Sequence, residues 1–264
     1  MSTRETPWPT GTPNWADLIT SDRPAAWAFY SEVLGWQIQD SGPEMGHYGM
    51  ASVDGKMVAG IGSPADPNQA PPPAWTTYLA TDDLDKTVEA IQSNGGTIAM
   101  PPMEVGGAGR MAIGMDPTGA AFGVWQAKDF VGAERVNEPG AMVWNQAMSR
   151  DPQRAREFYT AVFGYEYTPM DGADFHTING AGPGNTIGGV GGMEGFPDEV
   201  PAHWDTYFMV ADADQAIATA TANGGSVQVP AFDTPFGRMG AITDPQGATF
   251  WVMAATSEMM EAAQ

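Results

Sequence analysis

A chain of 264 residues with 32 acidic and 11 basic side chains carries a net charge of −21. It has little with which to neutralise phosphates, so nucleic acid and anionic membrane are excluded as expected partners. Having no cysteine, it can form no disulfide, thiolate nucleophile or thiolate-bound metal; with no signal-peptide core at the start and no run long enough to span a bilayer, it reads as a soluble cytoplasmic protein.

The first strand is expected at 15–19. Ala26, Phe29, Tyr30, Val33 and Leu34 follow at helical spacing as one apolar face, with Asp22 or Ser21 as cap and Gly35 as stop. Short apolar runs at 36–39, 48–53 and 57–61 read as strands, and the proline-rich stretch 63–73 as a linker. A second unit of the same kind follows: a strand at 75–80, a helix at 84–93 ended by Asn94-Gly95-Gly96, then strands near 97–100, 110–115 and 121–126. The turn Asp116-Pro117-Thr118-Gly119 joins the last two. Residues 128–139 lead into a second half that repeats the first. Phe29-Tyr30 recurs as Phe158-Tyr159 and Trp75 as Trp204, 129 residues on, and Gly109-Arg110-Met111 as Gly237-Arg238-Met239, 128 residues on. A period this long is a duplicated domain. The expected domains are 10–128 and 139–256, with 258–264 a loose tail.

A helix ending Phe-Tyr-x-x-Val-x-Gly, a later Asn-Gly-Gly and a closing Asp-Pro-x-Gly turn, in tandem βαβββ units, resemble the vicinal oxygen chelate superfamily. That superfamily holds glyoxalases, extradiol dioxygenases, fosfomycin-resistance enzymes and bleomycin-sequestering proteins. The resemblance covers 12–127 and 141–254 and is greatest to two-domain actinobacterial glyoxalase-like members. It implies an α+β fold, a tandem duplication of a glyoxalase-like domain in which four βαβββ units form two cupped mixed sheets with helices outside. Metal-using members direct His, Gln or Glu side chains from the first and fourth strands of each unit. The matching positions here are Trp15, Gly60, Thr76 and Gly123, and then Trp144, Gly189, Asp205 and Trp251. Only Asp205 is a plausible ligand, and one carboxylate does not hold a metal. Neither a metal nor any other cofactor is therefore expected.

Strand alternation turns Trp15 and Asp17 to one face, with Tyr78 and Trp125, and in the second half Trp144, Gln146, Asp205, Tyr207 and Trp251. These are aromatic walls suited to a flat small molecule. Asp17 is the sharpest residue, since a carboxyl beside tryptophans is raised toward neutrality and can carry a proton; its copy is the neutral Gln146. His47 is a second candidate acid or base, related to His176 by the repeat offset, while His203 reads as a surface residue. Arg110 is placed to clamp an anionic ligand or to pair with a structural acid. The leading expectation is a metal-independent enzyme performing acid/base dehydration, cyclisation or isomerisation on an aromatic or polycyclic metabolite, as a monomer or homodimer. A metabolite-sequestering resistance protein and a metal-dependent glyoxalase-like lyase or dioxygenase are the alternatives.

Overall fold

The computed structural model describes residues 4–64, 66, 72–172, 174–180 and 186–256. Most of the linker expected at 63–73 and the whole tail at 258–264 lie outside the described residues. In the first half the order is β1 (Pro13–Ile19), α1 (Arg23–Leu34), β2 (Gln37–Asp40), β3 (Gly49–Val53), β4 (Lys56–Gly62), β5 (Ala74–Ala80), α2 (Leu84–Ser93), β6 (Thr97–Val105), β7 (Gly109–Met115) and β8 (Ala121–Ala127). The second half repeats it as β9 (Met142–Ser149), α3 (Pro152–Phe163), β10 (Glu166–Pro169), β11 (Phe175–Asn179), β12 (Thr186–Gly192), β13 (His203–Met209), α4 (Ala213–Ala222), β14 (Ser226–Thr234), β15 (Gly237–Thr243) and β16 (Thr249–Ala255).

Local chemistry sets the helix ends. Asp22, Asp83, Asp151 and Asp212 each accept a backbone N–H from the first turn of their helix. Gly35 and Gly164 close α1 and α3 in the left-handed conformation, which glycine adopts without steric cost.

Each half is an eight-stranded mixed sheet, ordered β2-β3-β4-β1-β5-β8-β7-β6 and β10-β11-β12-β9-β13-β16-β15-β14. The two βαβββ units of a half join through antiparallel pairing of their first strands, β1 with β5 and β9 with β13. Ala16, Leu18, Thr77 and Leu79, all fully buried, lie on the helix-bearing face. Trp15, Asp17 and Tyr78 lie on the other face, as alternation requires.

The helix-bearing faces of the two halves meet, so each half completes the core of the other. Phe208, Phe250 and Val252 join the core around Phe29 and Tyr30, while Phe158 and Tyr159 join that around Leu84, Ile91 and Phe122. Near the centre the Thr77 and Thr206 hydroxyls lie 3.1 Å apart, 129 residues apart in sequence. Two reciprocal hydrogen bonds flank them. The Tyr30 hydroxyl donates to Asp244 Oδ2 at 3.0 Å, and the Tyr159 hydroxyl to Asp116 Oδ2 at 3.0 Å. Trp75 and Trp204 donate to those tyrosine oxygens at 3.0 and 2.8 Å.

Tyr159→Phe removes a buried donor and leaves Asp116 Oδ2 without it, so it should destabilise the whole chain by about 1–3 kcal/mol. Urea unfolding followed by tryptophan fluorescence measures this as a lower midpoint in one transition. An unchanged midpoint would show that the bond adds nothing.

Candidate active site

On the helix-free face of the first half, β1 brings Asp17 opposite Gly60 of β4 and Thr76 of β5, and β5 brings Tyr78 opposite Gly123 of β8. The two glycines make the site possible. A methyl group at Gly60 would overlap the Tyr48 hydroxyl, and one at Gly123 would overlap the Tyr78 ring. Tyrosines therefore lie over the bare backbone, and both hydroxyls donate to Asp17 Oδ2 at 3.2 Å. Trp15 Nε1 donates in turn to the Tyr48 oxygen at 3.1 Å.

Aromatic rings close over this group. Trp15 and Trp125 each meet the edge of Phe130, at 4.9 and 5.9 Å between centroids, and Trp125 Nε1 donates to the Phe130 carbonyl. Asp17 is 6% exposed, and its Oδ1 is buried without a hydrogen-bond partner. Burial raises the Asp17 carboxyl to about 7, against the lowering effect of the Tyr78 and Tyr48 hydrogen bonds. Burial, and the charge of Asp17, push both tyrosines well above their ordinary range, so they stay protonated and donate. With Oδ2 accepting from both phenols, the proton of the neutral acid falls on Oδ1.

The second half holds different chemistry on the same scaffold. Trp144 Nε1 donates to Gln146 Oε1 at 3.1 Å, and Gln146 Nε2 donates to Asp205 Oδ2 at 3.2 Å. Asp205 Oδ1 lies 3.3 Å from His203 Nε2, and His203 Nδ1 lies 2.8 Å from the Pro201 carbonyl. Burial opposes charge on this imidazole, but the Asp205 hydrogen bond and charge hold its pKa above the ordinary value. Tyr207 stacks on Trp251 at 5.0 Å with 15° between planes.

Three readings of the sequence need correction. His203 shares strand parity with Asp205 and is its partner, not an isolated surface residue. His47 stands in a turn with φ 58°, exposed, bonded to the Asp40 carboxylate at 2.9 Å and outside the Asp17 cluster. Its symmetry with His176 also fails. Phe175, not a residue 129 positions on, lies on Gly189 and Gly191 as Tyr48 lies on Gly60 and Gly62, so β3 and β11 are offset by two residues and His176 takes the place of Gly49. Finally, Arg110 lies on the helix-bearing face, where its two terminal nitrogens donate to Asp85 at 2.9 Å and its Nε lies 3.4 Å from Glu104, so of its two expected roles it pairs with acids of the fold and does not clamp a ligand beside Asp17. Tyr48 was missed, because it precedes β3 and only the register of that strand carries it over Gly60.

A shallow pocket at the junction of the halves is bordered by Arg4, Trp8, Pro13, Met142, Trp144 and Ile187. Arg4 is the one titratable group in its lining, so acid/base chemistry has no proton carrier there.

Comparison with known proteins now identifies the family. The family described as the Glyoxalase/Bleomycin resistance protein/Dioxygenase superfamily matches residues 12–124, and a glyoxalase-like domain matches 132–253. The chain is 42% identical over 251 residues to the "Putative glyoxylase CFP32" of Mycobacterium tuberculosis, covering 92% of this chain and 94% of that protein. This chain belongs to that superfamily. It is also 36% identical over 260 residues to the anthracycline biosynthesis protein DnrV of Streptomyces peucetius, covering 92% and 93% of the two chains. Among solved structures, the Mn(II)-bound glyoxalase from Novosphingobium aromaticivorans aligns with a TM-score of 0.63 at 16% identity, over 94% of this chain and 84% of that one. The 2,3-dioxygenase LapB from Pseudomonas sp. KL28 aligns with a TM-score of 0.63 at 15% identity, over 92% of each chain. These two likenesses concern the fold.

The superfamily implies a metal, but the donors at the matching positions do not fit one. Gly60 and Gly123 offer no side chain and their space is taken by Tyr48 and Tyr78, while Gly189 lies under Phe175. Trp251 is stacked on Tyr207. Among the described residues no three His, Cys, Asp or Glu side chains converge.

The Asp17 carboxyl fixes a pH dependence of stability. Between pH about 4 and about 7 the folded chain retains a proton on Asp17 that the unfolded chain has released, so this site's contribution to stability falls as pH rises. It levels off above the folded pKa, after a loss of about 4 kcal/mol. Asp17→Asn removes that slope. The unfolding free energy of the variant relative to the parent should therefore grow by several kcal/mol between pH about 4.5 and about 8 in urea titrations. A constant difference would mean that Asp17 ionises as an ordinary carboxylate.

Proposed function

We propose that this protein is a metal-independent enzyme of secondary metabolism that moves a proton on an aromatic or polycyclic small molecule, with Asp17 as the proton carrier. The observation that carries the reading is the buried Asp17 carboxyl with two tyrosine donors on Oδ2 and an unpartnered Oδ1. Likeness to the anthracycline biosynthesis proteins DnrV and DauV supports the substrate class.

In this reading Oδ1 delivers its proton to a substrate oxygen or carbon as a hydroxyl leaves or a ring closes. The negative charge left on the carboxylate is held through Oδ2 by the hydroxyls of Tyr48 and Tyr78, which already point at it and need no reorganisation. Return of the proton to Asp17 completes an isomerisation or a dehydration. Trp15 and Trp125, packed against Phe130 of the connector between the halves, form the aromatic border of the site. The matching positions supply a single carboxylate, Asp205, which does not hold a metal alone, so no step is routed through a Lewis acid.

A sequestering role is the second reading. The feature in its favour is the half-buried aromatic face of the second half, where Trp144, Gln146, Asp205 and Trp251 are only partly covered.

Incubation with a panel of hydroxylated anthraquinones and anthracyclinones in D₂O, read by mass spectrometry, tests the reading through deuterium uptake or loss of water. Asp17→Asn should slow the reaction about 10²- to 10⁴-fold with the fold retained. Since Asp17 acts as the protonated acid, the rate should fall as pH rises through about 7. Tyr48→Phe, which removes one donor to the carboxylate, should move that fall to higher pH. EDTA should leave the rate unchanged. Stoichiometric metal with activity lost on chelation would overturn the metal-free mechanism, and ligand binding without turnover in parent and variant alike would favour sequestration.

A further inference from the structure

We infer that His47, through its bond to Asp40, is a positioning residue that sets the turn from which the Tyr48 hydroxyl is delivered to Asp17. The inference rests on the acid/base reading for its catalytic meaning, while its geometry and its test stand without turnover.

Tyr48 ends the turn between β2 and β3. Asp40, the last residue of β2, faces Gly49, the first of β3. The Ser41 amide donates to the Tyr48 carbonyl at 2.9 Å and closes a loop around residues 42–47. Inside it the His47 amide donates to the Gly42 carbonyl at 2.8 Å, and Gly46 and His47 are both left-handed, with φ of 62° and 58°. Glycine takes that conformation freely, whereas a residue with a side chain keeps it where its surroundings fix it. His47 is exposed, so packing does not fix it. Its side chain does, since Nδ1 donates to Asp40 Oδ2 at 2.9 Å while Asp40 Oδ1 accepts the Gly42 amide at 2.8 Å. One carboxylate thereby ties both ends of the turn. Arg23 of α1 adds a tie from the helix side, its Nη1 donating to the Gly46 carbonyl at 2.9 Å.

Directly after His47 comes the phenol. Tyr48 lies over Gly60 and Gly62, and its hydroxyl reaches Asp17 Oδ2 at 3.2 Å, already long for a bond between two oxygens. The hydroxyl stands at the far end of the side chain, so a small rotation of the backbone at His47 carries it out of range. The second copy supplies the contrast. There the Met170 amide closes on the Phe175 carbonyl at 2.9 Å around residues 171–174, and the residue before the ring, Asp174, bonds Arg156 of α3 at 3.1 Å. Phe175 has no hydroxyl to deliver. The longer turn and its tie thus occur in the half whose ring carries a donor to the acid. An exposed pair such as His47 and Asp40 adds little to global stability. Its effect falls on where the ring points, not on whether the chain folds.

The readout is the titration of the Asp17 carboxyl by carbon-13 NMR, with a midpoint at pH about 7 in the parent. Tyr48→Phe, which removes a donor that favours the carboxylate, should raise that midpoint by about 0.5–1 pH unit. His47→Ala and Asp40→Ala should each raise it by about half that step or more, while the thermal midpoint stays within about 2 °C. His47→Asn, which tolerates the left-handed turn and keeps an N–H donor for Asp40, should restore the parent titration. Made on Tyr48→Phe, His47→Ala should add nothing, because its effect passes through the hydroxyl. A parent-like midpoint in His47→Ala would overturn the inference, as would an equal rise with and without the Tyr48 hydroxyl. A parent that turns over no polycyclic substrate, with these shifts intact, sinks the acid/base reading and leaves the positioning standing; turnover with unshifted midpoints does the reverse.

Discussion

The architecture depends on a hydrogen bond made twice, from a helix tyrosine in one half to a turn aspartate in the other. Asp116 Oδ1 accepts from the Thr118 and Ala120 amides and so builds its own turn, while Oδ2 accepts from Tyr159 across the interface. Asp244 does the same with the Gln246 and Ala248 amides and with Tyr30. One carboxylate thus fixes a local turn and a long-range contact together. Each tyrosine is fully buried in a core drawn from both halves, so neither half covers its helix-bearing face alone. Because the two helix-bearing faces are spent on each other, both helix-free faces are left for chemistry.

That division explains what could be read from the sequence. Phe-Tyr, Asn-Gly-Gly and Asp-Pro-x-Gly recur in both halves because helix packing, helix ends and the interface turn are shared demands, and period and parity alone place them. Trp15, Asp17, Tyr78 and Trp125 were legible as neighbours for the same reason, since alternation along a strand needs only its register. Tyr48 was not legible. It lies just before the short strand β3, after a turn that differs between the halves, where the halves slip by two residues, and the ring that replaces it, Phe175, carries no hydroxyl to mark the equivalence. Arg110 keeps two roles in the sequence because a guanidinium near the end of a strand reads alike from either side, and its pairing with Asp85 of α2 selects the structural one.

Glycine does unusual work on the faces that face away from the interface. In a strand it forgoes side-chain packing, which weakens the strand unless something else approaches the backbone. Here aromatic rings do. Tyr48 and Tyr78 settle on Gly60 and Gly123, and Phe175 on Gly189 and Gly191. The exchange of Gly123 for Trp251 in the second copy then has a direct consequence. Tyr207 cannot sink onto bare backbone as Tyr78 does, so it stacks on the indole and its hydroxyl is not among the donors to the first-strand polar residue, Gln146. Together with Gln146 in place of Asp17 and Phe175 in place of Tyr48, this small-to-large exchange separates a buried acid with two phenol donors from a stacked aromatic wall.

The polar groups on the two faces show the same contrast in energetic terms. In the second half Gln146 is bonded at both ends, to Trp144 and to Asp205, and Asp205 is matched by His203. Such a chain is satisfied and costs the fold little. In the first half Asp17 has donors on one oxygen only, and a buried oxygen left without a partner costs about 1–3 kcal/mol. Among the described residues its partners are the two phenols, and Arg110 is engaged on the other face. Nor does the fold require a carboxyl at this position, as Gln146 stands there in the second copy with the same strand pairing. A local cost that the architecture does not call for, at the centre of an aromatic face and with a pKa of about 7, is where a sequence departs from its own structural logic in favour of chemistry.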